Sequence, residues 1–163
     1  MMLIKKVLVL TDGSQNSRSA LRYAVEICRN FEASLHILSV VEDIPSYAYL
    51  EVGSEFISQV QETVRKEVVQ CSGYCETSGI ECTGEMRHGV PYEEIIKYAK
   101  EIDADLIVMS THGHTGLSHI LLGSVAEKIV RYAPCPVLTT RVDDKDWDIP
   151  AVSCEKPTPE SFS

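Results

Sequence analysis

Positive charge is scarce in this chain. Its 163 residues carry 15 Lys and Arg against 24 Asp and Glu, a formal net charge of −9. A nucleic-acid-binding face or a polybasic membrane patch needs the opposite balance, so neither partner is expected. No apolar run approaches the ~20 residues of a membrane span. Met1–Lys6 holds two lysines, but the apolar run Val7–Leu10 that follows is far too short for the core of a secretory signal. The expectation is a soluble, cytoplasmic protein. Six cysteines are present (Cys28, Cys71, Cys75, Cys82, Cys135 and Cys154), yet there is no CxxC pair. In a reducing compartment such thiols stay free as a rule. Cys71 and Cys75 stand four apart on an expected helix and share a face, so a metal site or a disulfide with Cys82 is the alternative. Internal repeats, a Walker A sequence, GxGxxG and the nucleophile elbow GxSxG are all absent.

What remains is an ordinary globular composition, 44% hydrophobic and 24% charged, long enough for one domain with a sizeable core. Residues 1–142 are expected to form that domain. From Asp143 to Ser163 there are six acids, two lysines and three prolines without periodicity, which reads as an acidic, arm-like tail. The tail carries −4 of the net charge and leaves −5 on the body.

Lys6–Leu10 (KVLVL) reads as a short buried strand, ended by the turn and cap residues Thr11-Asp12-Gly13-Ser14. Ala20, Leu21, Ala24, Val25, Ile27, Cys28 and Phe31 then recur at helical spacing, giving a helix over about Ser14–Asn30. Ser34–Val41 is a second strand. Ser54 reads as the N-cap of a second helix striped by Phe56, Ile57, Val60, Val64, Val68, Cys71 and Cys75, with Gly79 as its stop. Ile80–His88 alternates as a strand. Pro91 opens a third helix, with Glu93 and Glu94 in its first turn and Ile95, Ile96 and Ala99 facing inward. Ala104–Ser110 is a fourth strand. The glycine-bearing loop Thr111–Leu122 follows. A fourth helix spans Gly123–Tyr132, with Val125, Ala126, Ile129 and Val130 inward, and Val137–Arg141 is the last strand.

Strands alternating with helices predict an α/β, doubly wound fold with a five-stranded parallel sheet, order 3-2-1-4-5, and helices on both faces. In such sheets ligands bind beyond the carboxyl ends of the two strands at the switch point, here the first and fourth. That rule brings Asp12 and Ser110–Gly113 to one crevice. Gly113, Gly116 and Gly123 punctuate the loop, and Gly123-Ser124 opens a helix whose free N–H groups and dipole favour an anion. Glycine lets a phosphate reach the backbone. The bland alternative is a tight turn with no ligand. No Lys or Arg lies in Ser110–Leu122, so backbone and hydroxyl donors would carry the anion, with a divalent ion's help. His112, His114 and His119 cluster in the loop without a carboxylate to orient them, so solvent-exposed or turn-stabilising roles fit them better than a metal or acid–base role.

VLVLTDGSQNSRSALRYA and ADLIVMSTHGHTGLSHILLGSVAEKIVRYAPCPVLTTR resemble the opening and closing halves of the universal stress protein family, and the likeness spans about Lys6–Arg141. The ATP-binding branch of that family carries glycine, two residues, glycine, nine residues, glycine, then Ser or Thr. Here Ser110 stands at the first position, Gly113 at the second, and Gly123-Ser124 completes the pattern. The resemblance implies a Rossmann-like, adenine nucleotide alpha hydrolase-like domain that binds ATP, or ADP or AMP, with Mg²⁺ or Mn²⁺ on the phosphates. Asp12 would face the ribose, the Val40 backbone would read the adenine edge, Met109 would line the base pocket, and Val125 would offer a further N–H. The full nucleotide-binding set is Leu10, Asp12, Val40, Met109, Ser110, Gly113, His114, Gly123, Ser124 and Val125. Asp12 has a second reading as a cap of the first helix, and Val40 and Met109 as plain core.

The resemblance also implies a homodimer in which the last strand, Val137–Thr140, pairs with its copy; otherwise the tail covers that edge. Three functions follow from these readings. The first is a nucleotide-dependent, dimeric stress-response or regulatory module. The second is a slow ATPase, disfavoured because the loop lacks a cation and a base for phosphoryl transfer. The third is a dimeric interaction protein without nucleotide, which Ser110 in place of glycine keeps in view. No catalytic residue is assigned.

Overall fold

The computed structural model describes residues 3–43, 45, 53–111 and 123–141. Gly113, Gly116, His112, His114, His119 and the tail lie outside the described residues. The elements are β1 (Lys6–Leu10), α1 (Gln15–Phe31), β2 (Ser34–Val41), α2 (Ser54–Thr77), β3 (Cys82–His88), α3 (Pro91–Glu101), β4 (Leu106–Ser110), α4 (Ser124–Tyr132) and β5 (Val137–Thr140). They build one five-stranded sheet in the order β3-β2-β1-β4-β5. All four strand pairings are parallel, as alternating strands and helices require.

Side chains alternate across each strand, and the core divides accordingly. Val7, Val9, Leu35, Ile37, Leu106 and Val108 pack on one face with Ala20, Leu21, Ala24, Val25 and Cys28 of α1 and Cys71 and Cys75 of α2. Leu8, Leu38, Ile107 and Met109 pack on the other with Ile95, Tyr98 and Ala99 of α3 and Ala126 and Ile129 of α4. The central strand β1 is apolar on both faces because both are covered. At the amino edge, the Asp105 carboxylate accepts from the Lys5 and Lys6 backbone N–H groups at 2.8 and 2.9 Å, and the Lys6 ammonium donates to the Ile102 carbonyl at 2.8 Å. These contacts pin β1 beside β4.

Several local expectations change. Gly53, not Ser54, is the N-cap of α2, with no side-chain cap bond; Ser54 is the first helical residue. Gly79, at φ 75°, follows the end of α2 as expected, but Ile80 precedes the strand and packs in the core instead. Phe56 is exposed, as are Val125 and Val130; Ile96 is only half-buried. Tyr98, unmarked by the apolar pattern, is buried. Among the described residues no helix is long and apolar enough to cross a membrane.

Candidate functional site

β1 and β4 run side by side through Val7↔Leu106, Leu8↔Ile107 and Val9↔Val108. Beyond that register they part. Thr11, the first residue after β1, donates its N–H to Leu38 of β2 at 3.0 Å. Thr111, the first after β4, donates to Thr140 of β5 at 3.0 Å. Each chain end is drawn toward its outer neighbour, so the two diverge at the carboxyl edge, where ligands bind in sheets of this kind. Both threonines are buried. Thr11 Oγ1 lies 3.3 Å from Ser17 Oγ and accepts from the Gly13 N–H at 3.3 Å. Thr111 Oγ1 donates to the Thr140 carbonyl at 3.4 Å. The sequence pattern marked neither threonine, because its signal is the pairing of each strand end with a non-local carbonyl.

On the β1 side, Asp12 is exposed. Its Oδ1 accepts from the Ser14 N–H at 2.9 Å and from the Ser14 hydroxyl at 2.5 Å. Ser14 Oγ in turn accepts from the Ser17 N–H at 3.2 Å and caps α1. Asp12 is therefore a brace for the cap rather than the cap itself. Arg18, one turn into α1, makes a two-pronged contact with the buried carboxylate of Glu67 on α2, at 3.1 and 3.3 Å. That pair backs the Gly13 turn, whose φ is 78° and where an added Cβ would meet Glu67 Cγ at 3.8 Å.

On the β4 side, Met109 is buried in the core and Ser110 is half-buried opposite Thr140. Leu10 and Val40 pack partly buried against the same core cluster. Gly123 donates its N–H to the Thr111 carbonyl at 3.1 Å, which joins the start of α4 to the end of β4. Ser124 and Val125 are exposed in the first turn of α4, and no side chain caps that helix. The cations further along α4 are engaged elsewhere: Lys128 sits 4.2 Å from the Tyr92 ring centre, and Arg131 lies 3.5 Å from Glu127. Of the ten residues expected at the site, eight are described, and all eight lie at or just beyond the carboxyl ends of β1, β2 and β4 or at the start of α4. Gly113 and His114 lie outside the described residues.

Gly123 is the informative position. Its φ of −69° suits any residue. Among the described residues, an added Cβ would meet only the Thr111 carbonyl oxygen, at 3.6 Å, an ordinary contact. Gly13, Gly53, Gly79 and Gly89 all hold positive φ, and Gly84 has no room for a Cβ. Among these described glycines, Gly123 alone is demanded by neither backbone nor packing. Its α-carbon stands beside the first N–H groups of a helix, where an anion is favoured.

Comparison with known proteins bears on this arrangement. The model of the universal stress protein family matches residues 3–141. The chain belongs to the universal stress protein family. It is 39% identical over 146 residues to universal stress protein MJ0531 of Methanocaldococcus jannaschii, covering 88% of this chain and 86% of that one. Among solved structures of the family it resembles UspA from Lactobacillus plantarum, with a TM-score of 0.77 and 28% identity over 85% of this chain and 98% of that one. A family member from Archaeoglobus fulgidus, solved in complex with dAMP, shares the fold with a TM-score of 0.61 at 22% identity, over 85% of this chain and 98% of that one. The five-stranded 3-2-1-4-5 sheet is thus the family's architecture in this chain.

Proposed function

We propose that this protein binds an adenine nucleotide, ATP foremost, in the crevice between the ends of β1 and β4, and acts as a nucleotide-dependent dimeric module in stress response or regulation. The observation that carries the reading is Gly123, a glycine that the chain's own geometry does not require at the open N-terminus of α4. A phosphate resting on the Gly123 α-carbon and the N–H groups of Ser124 and Val125 supplies the missing reason. Asp12, held beside Ser14, faces the ribose; Leu10, Val40 and Met109 flank the base; Ser110, Gly113 and His114 belong to the phosphate side. Mg²⁺ or Mn²⁺ enters with the phosphates. The dAMP complex supports the reading at the level of the fold. Binding rather than turnover follows from the charge inventory, since Ser110–Leu122 has no Lys or Arg to stabilise a transferring phosphoryl group. The homodimer forms through β5, an edge of the sheet where Leu138 is exposed.

Calorimetry with ATP and Mg²⁺ tests the site. The unmodified protein should bind. Gly123→Val should weaken binding at least ~10-fold, about 1.4 kcal/mol, with the melting temperature unchanged. Normal ATP binding by that variant would mean that the phosphates lie elsewhere. Steady phosphate release by the unmodified protein would replace the binding module with an ATPase.

A further inference from the structure

The cysteines between α2 and β3 are unused by the nucleotide site, yet they are not scattered. The carboxyl half of α2 lies directly on β3: a Cβ added to Gly84 would stand 2.6 Å from both Ser72 Oγ and Val68 Cγ1. Cys82 is two residues before Gly84, so it points to the same face of the sheet. Cys75 follows Val68 and Ser72 by seven and three residues, so it shares their face of the helix. Cys75 belongs to the buried cluster on that face of the sheet, and Cys82 packs against the same cluster. The turn between them is held as well. The Cys75 carbonyl accepts from the N–H groups of Ser78 and Ile80, each at 3.0 Å. Cys75 is fully buried, whereas Cys82 keeps partial contact with solvent.

We propose that Cys82 and Cys75 are a reversible redox pair, in which Cys82 takes up oxidising equivalents from a hydroperoxide and Cys75 resolves the product to a disulfide. The Cys82 thiolate attacks one peroxide oxygen, the O–O bond breaks, and hydroxide (or an alkoxide) leaves, so that Cys82 becomes a sulfenic acid. Cys75 then attacks that sulfur; the S–O bond breaks, water leaves with the Cys75 proton, and the disulfide forms. A thiol reductant restores both groups.

The neighbouring thiols explain the selectivity. Hydrogen bonds from Cys75 and Ser72 lower the Cys82 thiol below its ordinary value, while the bond to Cys82 and then burial raise Cys75. Cys28 and Cys71 belong to the same core and are each pushed up to about 12, chiefly by burial. Cys28 donates to the Ser34 carbonyl and Cys71 to the Glu67 carboxylate. A partly accessible, thiolate-prone sulfur beside a buried partner is the arrangement that reacts in this way, and buried thiols with raised values do not.

The full-length protein treated with hydrogen peroxide, then alkylated and weighed, should lose two hydrogens and two alkylatable thiols. Cleavage after Tyr74, Glu76 and Glu81 separates the three candidate cysteines, and a Cys75–Cys82 linked peptide should result. In Cys75→Ala the bridge should be lost and dimedone should label Cys82; in Cys82→Ser neither product should form. An unchanged thiol count in the unmodified protein, a bridge through Cys71, or dimedone on another cysteine in Cys75→Ala would each overturn the pair. The peptide map of the unmodified protein decides the matter even if a variant fails to fold.

Discussion

At the scale of single residues, two glycines illustrate what sequence does and does not disclose. Gly123 was readable as a ligand-facing position from its place at a helix start, and its relaxed geometry strengthens that reading. Gly84 was invisible, since it stands inside a strand-like run and its constraint comes from Val68 and Ser72, far earlier in the chain. The Ser72 hydroxyl can rotate away from an added methyl group, but Val68 is β-branched and stiff on its helix. Gly84→Ala should therefore cost about 1–3 kcal/mol in urea unfolding, with ATP affinity unchanged. A stability within experimental error of the original would show that α2 moves easily on β3. His36 offers a second test. Burial, then Lys6, lowers it from its ordinary 6.5, against the pull of Glu81 and Glu85, and its Nδ1 lies 3.2 Å from the Tyr98 hydroxyl. The folded state thus favours the neutral ring. Its contribution is complete above 6.5 and is lost as pH falls through the lower folded value, because the unfolded chain binds the proton more readily. Urea midpoints taken from about pH 7.5 down to 5.5 should fall, and His36→Gln should flatten that part of the decline. An identical slope in the variant would assign the decline to other groups.

At the scale of elements, the strands were the most legible parts. β1, β2 and β4 are short, largely apolar runs of a sheet that helices cover on both faces, so composition alone exposes them. Helix faces were read less well where a helix is short or peripheral. α4 has nine residues and buries only Ala126 and Ile129, one turn apart, so the stripe extended to Val125 and Val130 was too wide. At Ser54 a cap residue in the right place lost to Gly53, whose φ of 80° sets the entry of α2. At α1 the cap was read in the right neighbourhood, and here the element and the site depend on each other. Ser14 closes the first turn and also holds the Asp12 carboxylate. Ser14→Ala should cost about 0.5–2 kcal/mol of stability by loss of the cap. It should also weaken ATP binding, since Asp12 loses the hydroxyl that fixes it. Calorimetry on the variant that returned the original affinity would separate Asp12 from the site.

At the scale of the whole molecule, the topology followed from the alternation of elements and the handedness of their crossovers. What lay beyond the sequence was the divergence at Thr11 and Thr111, because it depends on which outer strand each end joins. The proposed homodimer rests on the other edge feature, β5. Unmodified protein should run at twice the 18.1 kDa chain mass in light scattering, and Leu138→Lys should shift it toward the monomer. A monomeric unmodified protein, or an intact Leu138→Lys dimer, would remove β5 as the interface. The hydrogen bond from Gly123 to the Thr111 carbonyl has a further consequence for how such proteins diversify. It ties Thr111, the residue after β4, directly to Gly123, the N-cap of α4, across the eleven positions 112–122. The clasp is made by backbone atoms alone, so side-chain changes at 112–122 leave its donor and acceptor in place, and binding preference can be rewritten there while β4 and α4 stay joined.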